Sequence, residues 1–209
     1  MKINRQLNIV IPVEVEPEEP EVKDDDGKVV KEKKDAVVLY VHAEPIRKET
    51  FEAFFDIFGK AFTQIYMGGY SLTSGPRLAK LIITQIAKNT NRWDGPMGVE
   101  KALFPEIRRL TNVIMPVDGR WNVIPFEDAI KSELLSEDDL SEVENALCFF
   151  TVASVMNKKT ELRLILDGMS FAWGSLVSSL NCTDFAATLK TSTEGASFGK
   201  KMPLSFIPS

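Results

Sequence analysis

The chain has 209 residues, 44% of them hydrophobic, and a formal net charge of −5 at pH 7. That length suits one compact domain with a small appendage. No apolar run reaches the roughly 20 residues of a membrane-spanning helix, and the acidic balance gives no broad attraction to nucleic acid or to anionic lipid.

Residues 7–15 are predicted to form a strand, because Leu7, Ile9, Ile11, Val13 and Val15 put apolar side chains on alternate positions. Pro12 cannot donate to a ladder, which restricts this strand to a sheet edge or a bulge. Pro12, Glu14 and Glu16 also interrupt any signal-peptide core, so a cytosolic origin is expected. Residues 36–43, rich in β-branched and aromatic types, are the second strand, paired with the first as an antiparallel hairpin. The link 16–35 holds nine acidic and five basic residues, two prolines and one glycine. With so little apolar surface it is expected to be a mobile tip, either a solvated loop or an arm that docks on a partner.

A helix is predicted over 47–67, with Phe51, Phe54, Phe55, Phe58, Phe62 and Ile65 as its apolar stripe and Gly68-Gly69 as its stop. Ser74 reads as the cap of a second helix, 76–88, with Pro76 in the first turn and Leu78, Leu81, Ile82 and Ile86 facing inward. A loop around Trp93 leads to a third helix over 97–111, kinked at Pro105. Val99, Leu103, Ile107 and Leu110 face inward there, and Arg108 and Arg109 lie on the exposed side. Asp118-Gly119 between residues 113–117 and 120–124 predicts a tight hairpin with a type I′ turn, a short edge-like ribbon. A short helix over 126–134 follows Pro125.

Ser136, with an acid three residues later, opens the central helix, 137–158. It carries Leu140, Val143, Leu147, Phe150 and Ser154, widened by Ala146, Phe149 and Ala153, and closes on Lys158 and Lys159. It is expected to pack against the 47–67 helix. Residues 161–166 are too few to separate helix from strand. A helix over 170–180 with Phe171, Trp173, Leu176, Val177 and Leu180, and a last helix over 184–189 capped by Thr183, complete the core. The whole is α+β, mainly α: an N-terminal β-hairpin (1–45), a helical core domain (46–190) with its short second ribbon, and an extended tail (191–209).

Chemistry is sparse. Nucleophile systems need a base, and His42 is the lone histidine, placed near a strand end as a tip or core-edge residue. Cys148 and Cys182 read as small core residues. With His42 they make a poor zinc set, and the pair gives no disulfide framework. Met67-Gly-Gly-Tyr70 lacks the spacing and the lysine of a phosphate loop. Asp24-Asp25-Asp26-Gly27 lacks the alternation of a calcium loop. The expectation is a non-enzymatic protein without metal or cofactor, working by protein contacts. The candidate partner-binding residues are Trp93, Arg108 and Arg109, beside a groove between the 76–88 and 97–111 helices.

The text of the chain resembles a family. Met1-Lys-Ile-Asn-Arg-Gln-Leu-Asn-Ile-Val-Ile-Pro-Val13, Tyr40–Ile46, Glu106–Val113, Ser141–Ser154, Ser179–Phe185 and Thr191–Ser197 resemble tail assembly chaperones of long-tailed bacteriophages. Residues 16–35 look like an insertion relative to that pattern. The resemblance implies a host-cytoplasmic protein that binds the tape-measure protein and promotes polymerisation of tail-tube subunits, with self-association open. It transfers no catalytic residue. The competing reading is a structural virion protein of the neck, tail or capsid that stays in the particle.

Overall fold

The computed structural model describes residues 7–15, 21–23, 29–31 and 36–189. The expected C-terminal tail and most of the 16–35 link lie outside the described residues. Within that link, β2 (Glu21–Lys23) and β3 (Val29–Lys31) pair with each other across Val22 and Val30.

The remaining strands form one antiparallel sheet. β1 (Asn8–Val15) pairs with β4 (Val37–Ala43), β4 with β5 (Thr111–Val117) and β5 with β6 (Arg120–Pro125). β7 (Leu176–Ser178) closes the far side of β1. The spatial order is β6-β5-β4-β1-β7. The 113–124 hairpin is therefore part of the main sheet rather than a separate ribbon. Its turn has positive φ at both Asp118 and Gly119, as a type I′ turn requires. β1 is flanked on both sides, which corrects the edge assignment. Pro12 is tolerated because β7 reaches only Asn8–Val10 and ends before it.

Both faces of the sheet are covered. Ile9, Val13, Leu39, Val41, Val113 and Met115 alternate onto one face and join the main core. The other face carries Val10, Ile114, Tyr40 and Trp121.

The helical layer covers the first face. The 47–67 helix is two helices, α1 (Lys48–Ala53) and α2 (Phe55–Met67), broken at Phe54 with φ −118° and ψ 19°. The break rotates the stripe: Phe54, Ile57, Phe58, Ala61 and Ile65 are buried, and Phe55 is exposed. α3 (Ser71–Asn89) starts a turn earlier than the Ser74 cap suggests. The Ser74 hydroxyl instead donates to Tyr70 O within the helix. Pro76 sits inside α3, where the Gly75 N–H reaches back to Tyr70 O at 2.6 Å. Leu81 faces solvent, and Ala79, Ile83 and Ala87 take the inner positions.

The 97–111 segment is a π-turn (Val99–Leu103) running into α4 (Phe104–Arg109), with Pro105 in the first turn, where its missing N–H costs nothing. α5 (Phe126–Lys131) seats Phe126 in the core. α6 (Glu137–Met156) is capped by Ser136 Oγ, which accepts from Asp139 N at 3.1 Å. It is the central helix, buried from Val143 to Ala153, with Phe150 at 1% exposure. It packs chiefly on α3, and on α2 as well.

Residues 159–173 form one helix, α7 (Lys159–Trp173), which settles the 161–166 ambiguity and removes the expected 170–180 helix. Lys158 and Lys159 begin α7 instead of ending α6. Gly174, in the left-handed region at φ 66°, ends α7 and allows β7 to follow. α8 (Cys182–Thr188) is capped by Asn181 Oδ1, which accepts from Asp184 N at 2.8 Å; Thr183 is not the cap. α8 lays Cys182, Phe185 and Ala186 on the second face of the sheet.

Candidate functional site

The three residues singled out from sequence occupy three different environments. Arg108 lies in the last turn of α4 but points inward. Its Nε and Nη2 donate to Glu144 Oε1 at 2.8 and 2.5 Å, and Nη1 lies 3.4 Å from Glu127 Oε1. Lys80 of α3 donates to the other Glu144 oxygen. Glu144 is 7% exposed, so two cations from α3 and α4 meet one buried carboxylate on α6. Burial opposes the Arg108 charge, but Glu144 and then Glu127 outweigh it and hold the guanidinium above its usual range. This cluster ties three helices together, and removing either sign would leave uncompensated buried charge.

Arg109, as expected, is exposed. It holds Glu106 through two hydrogen bonds of 2.6 and 2.8 Å, and these bonds keep the Glu106 carboxyl below the usual range. It lines an open cleft of about 560 Å³ together with Arg47, Phe54 and Met97. Trp93 is half-buried, edge-on to Phe104 at 5.9 Å, with Lys88 Nζ 5.1 Å above its ring. Around Trp93, where the groove between α3 and α4 is expected, an open pocket of about 370 Å³ is lined by Lys88, Asn91, Trp93 and Asp94. The space among Lys80, Phe104, Arg108, Glu144 and Cys148 amounts to about 10 Å³. The Phe104 ring and the ion cluster fill it, so it takes no helix.

α7 carries two exposed large apolar side chains. Leu162, Leu166 and Met169 bury one side of that helix. Leu164 and Phe171, 72% and 96% exposed, stand on the other. Seven residues apart, they share a helix face about 10 Å along the axis. The signal was in the sequence: Leu162, Leu166, Met169 and Trp173 recur at 4-3-4 spacing, which leaves Leu164 and Phe171 over. Splitting this stretch at residue 170 hid it.

Nucleophilic chemistry has no support in these positions. Cys148 and Cys182 are both buried and free. Burial pushes each thiol up to about 12, where the thiolate is scarce at neutral pH. His42 is fully buried with Nε2 3.0 Å from Leu180 O. Asn8 Nδ2 donates to the same carbonyl at 2.8 Å. Among the described residues no three His, Cys, Asp or Glu side chains converge to hold a metal ion, and no helix is long and apolar enough to cross a membrane. No family model, no curated protein and no solved structure matches this chain.

Proposed function

We propose that this protein is a non-enzymatic assembly chaperone of long-tailed bacteriophages, acting in the host cytoplasm, which binds the tape-measure protein and promotes tail-tube polymerisation around it. The family reading comes from the sequence resemblance, which spans nearly the whole chain. The structural observation that carries the binding mode is the exposed apolar pair Leu164 and Phe171 on the outward side of α7. A single exposed leucine is ordinary, whereas a phenylalanine almost wholly in water, in register with a leucine one heptad away, is the face that an amphipathic helix recognises. A tape-measure protein is long and helical, and it offers such a partner.

Co-expression with the tape-measure protein and size exclusion at micromolar concentration is the test. The wild-type chain is expected to co-elute with its partner. A Leu164→Ser, Phe171→Ser double variant is expected to lose the complex while keeping its melting temperature, because both side chains are already exposed. Trp93→Ala, which removes a ring packed on Phe104, is expected to cost stability and spare the complex. Absence of any complex between two folded proteins would refute the reading. Abundant peptides of this chain in purified particles would replace it with a virion subunit.

A further inference from the structure

A second cleft, of about 270 Å³, opens where β1, the start of α6 and the end of α7 meet. It exists because β7 stops at Leu176, opposite Val10, and Gly174 turns the chain away into α7. The edge of β1 beyond Val10 is thus bounded by side chains rather than by another strand. Val13, Val143 and Met169 give the cleft an apolar floor. Its walls carry three carboxylates, Glu14 from β1 and Asp139 and Glu142 from α6, and among the described residues no lysine or arginine lines it. The acidic groups do not converge closely enough to hold a metal ion.

Two further observations indicate what fits. Ser175 lines the cleft at 2% exposure, and among the described residues its hydroxyl has no hydrogen-bond partner. A buried hydroxyl in that condition is unusual. At the rim, the Arg77 guanidinium carbon lies 5.1 Å from the centre of the Trp173 ring, with Nη2 3.6 Å from Glu142 Oε1. The protein's own side chain therefore shows that a guanidinium is accommodated between this indole and this carboxylate. Glu14, at an exposed position, and Asp139, whose Oδ2 accepts from the Ser136 hydroxyl at 2.6 Å, are the other two carboxylates of the lining.

We propose that this cleft binds an arginine side chain presented by a segment of another protein. The methylene stem lies on Val13 and Met169. The planar head donates to Glu14 and Asp139, and the Ser175 hydroxyl accepts one N–H. Arginine is favoured over lysine because a flat five-donor head can bridge two carboxylates at once. The inference is independent of the phage reading, since it names a side chain and not a particle.

The test is an NMR titration of the full-length ¹⁵N-labelled chain with the peptide acetyl-Gly-Ser-Leu-Arg-Val-Ser-Gly-amide. The same peptide with neutral citrulline in place of arginine is the control. The Trp173 indole N–H and the Ser175 amide are expected to shift saturably with the arginine peptide. The citrulline peptide is expected to bind about tenfold more weakly. Glu14→Gln, at an exposed position, is expected to weaken the arginine peptide while leaving the spectrum otherwise folded. Arg77→Gln is expected to tighten it by about two- to fivefold, because it removes a competing cation from Glu142. Equal response to both peptides would overturn the proposal. So would shifts that avoid the cleft, or unchanged affinity in both variants.

Discussion

His42 has no exposed surface and no described partner for Nδ1, and a single carbonyl, Leu180 O, faces its Nε2. Burial lowers its pKa from 6.5, against the smaller opposing effects of the Leu180 hydrogen bond and the Glu44 charge. The folded state therefore binds the proton less readily than the unfolded chain, so stability rises with pH in this range. The contribution is fully present above pH about 6.5 and drains away as pH falls through that value toward the lower folded pKa. Urea melts of wild type and His42→Gln between pH 7.5 and pH 5 check this. The wild type is expected to lose stability on the acid side, and the variant is expected to show a flatter profile. The sequence placed this histidine near a strand end, as a tip or core-edge residue. That its face of the sheet is buried was not legible, because α8, which covers it, lies far along the chain.

At the scale of elements, α3 packs more extensively on α6 than on any other described helix, and Gly75 lies where Phe149 of α6 comes against it. A Cβ at residue 75 would stand 2.7 Å from Phe149 Cε2 and 3.2 Å from Ile65 Cγ2. Alanine would gain up to about 1 kcal/mol of helix propensity, but overpacking a filled core costs about 1–3 kcal/mol. Gly75→Ala is therefore expected to lower the melting temperature. In a Phe149→Leu background, where the ring is gone, the same change is expected to be neutral or stabilising. Calorimetry of the four proteins measures the coupling. The element list shows what local pattern can and cannot supply. The Ser136 cap, the Asp118-Gly119 turn and the central helix were legible because each is decided within a few residues. The break at Phe54 was not, since five phenylalanines read as an unbroken stripe whichever way the chain turns between them. The pairing of β7 with β1 was also illegible: three residues carry no period, and their partner is remote in sequence.

Taken as a whole, the molecule is a five-stranded antiparallel sheet with a thick helical layer on one face and α8 on the other. The N-terminal hairpin is not an appendage to a helical domain. β1 and β4 are central strands of that sheet, and removing them would remove the floor of the core. The β2–β3 ribbon stands outside this arrangement, because its two strands pair only with each other. Replacing residues 18–33 with a short Gly/Ser linker is expected to leave the melting temperature within about 3 °C of wild type. A larger fall would show that this segment is integral to the fold. Of the residues singled out from sequence, Arg109 is exposed as expected. The sequence misplaced Arg108, whose burial depends on Glu144 arriving from another helix.

The outermost pairing of the sheet, β7 on β1, has a consequence for synthesis. β1 leaves the ribosome before any of the described helices, yet the strand that completes its outer side is made after seven of them. At about 5–20 residues per second, the interval is roughly ten to thirty seconds. Through that interval the nascent chain carries an unfinished strand edge, the feature through which translating neighbours aggregate. Pro12, which has no N–H to donate, sits midway along that strand, beyond the stretch that β7 pairs.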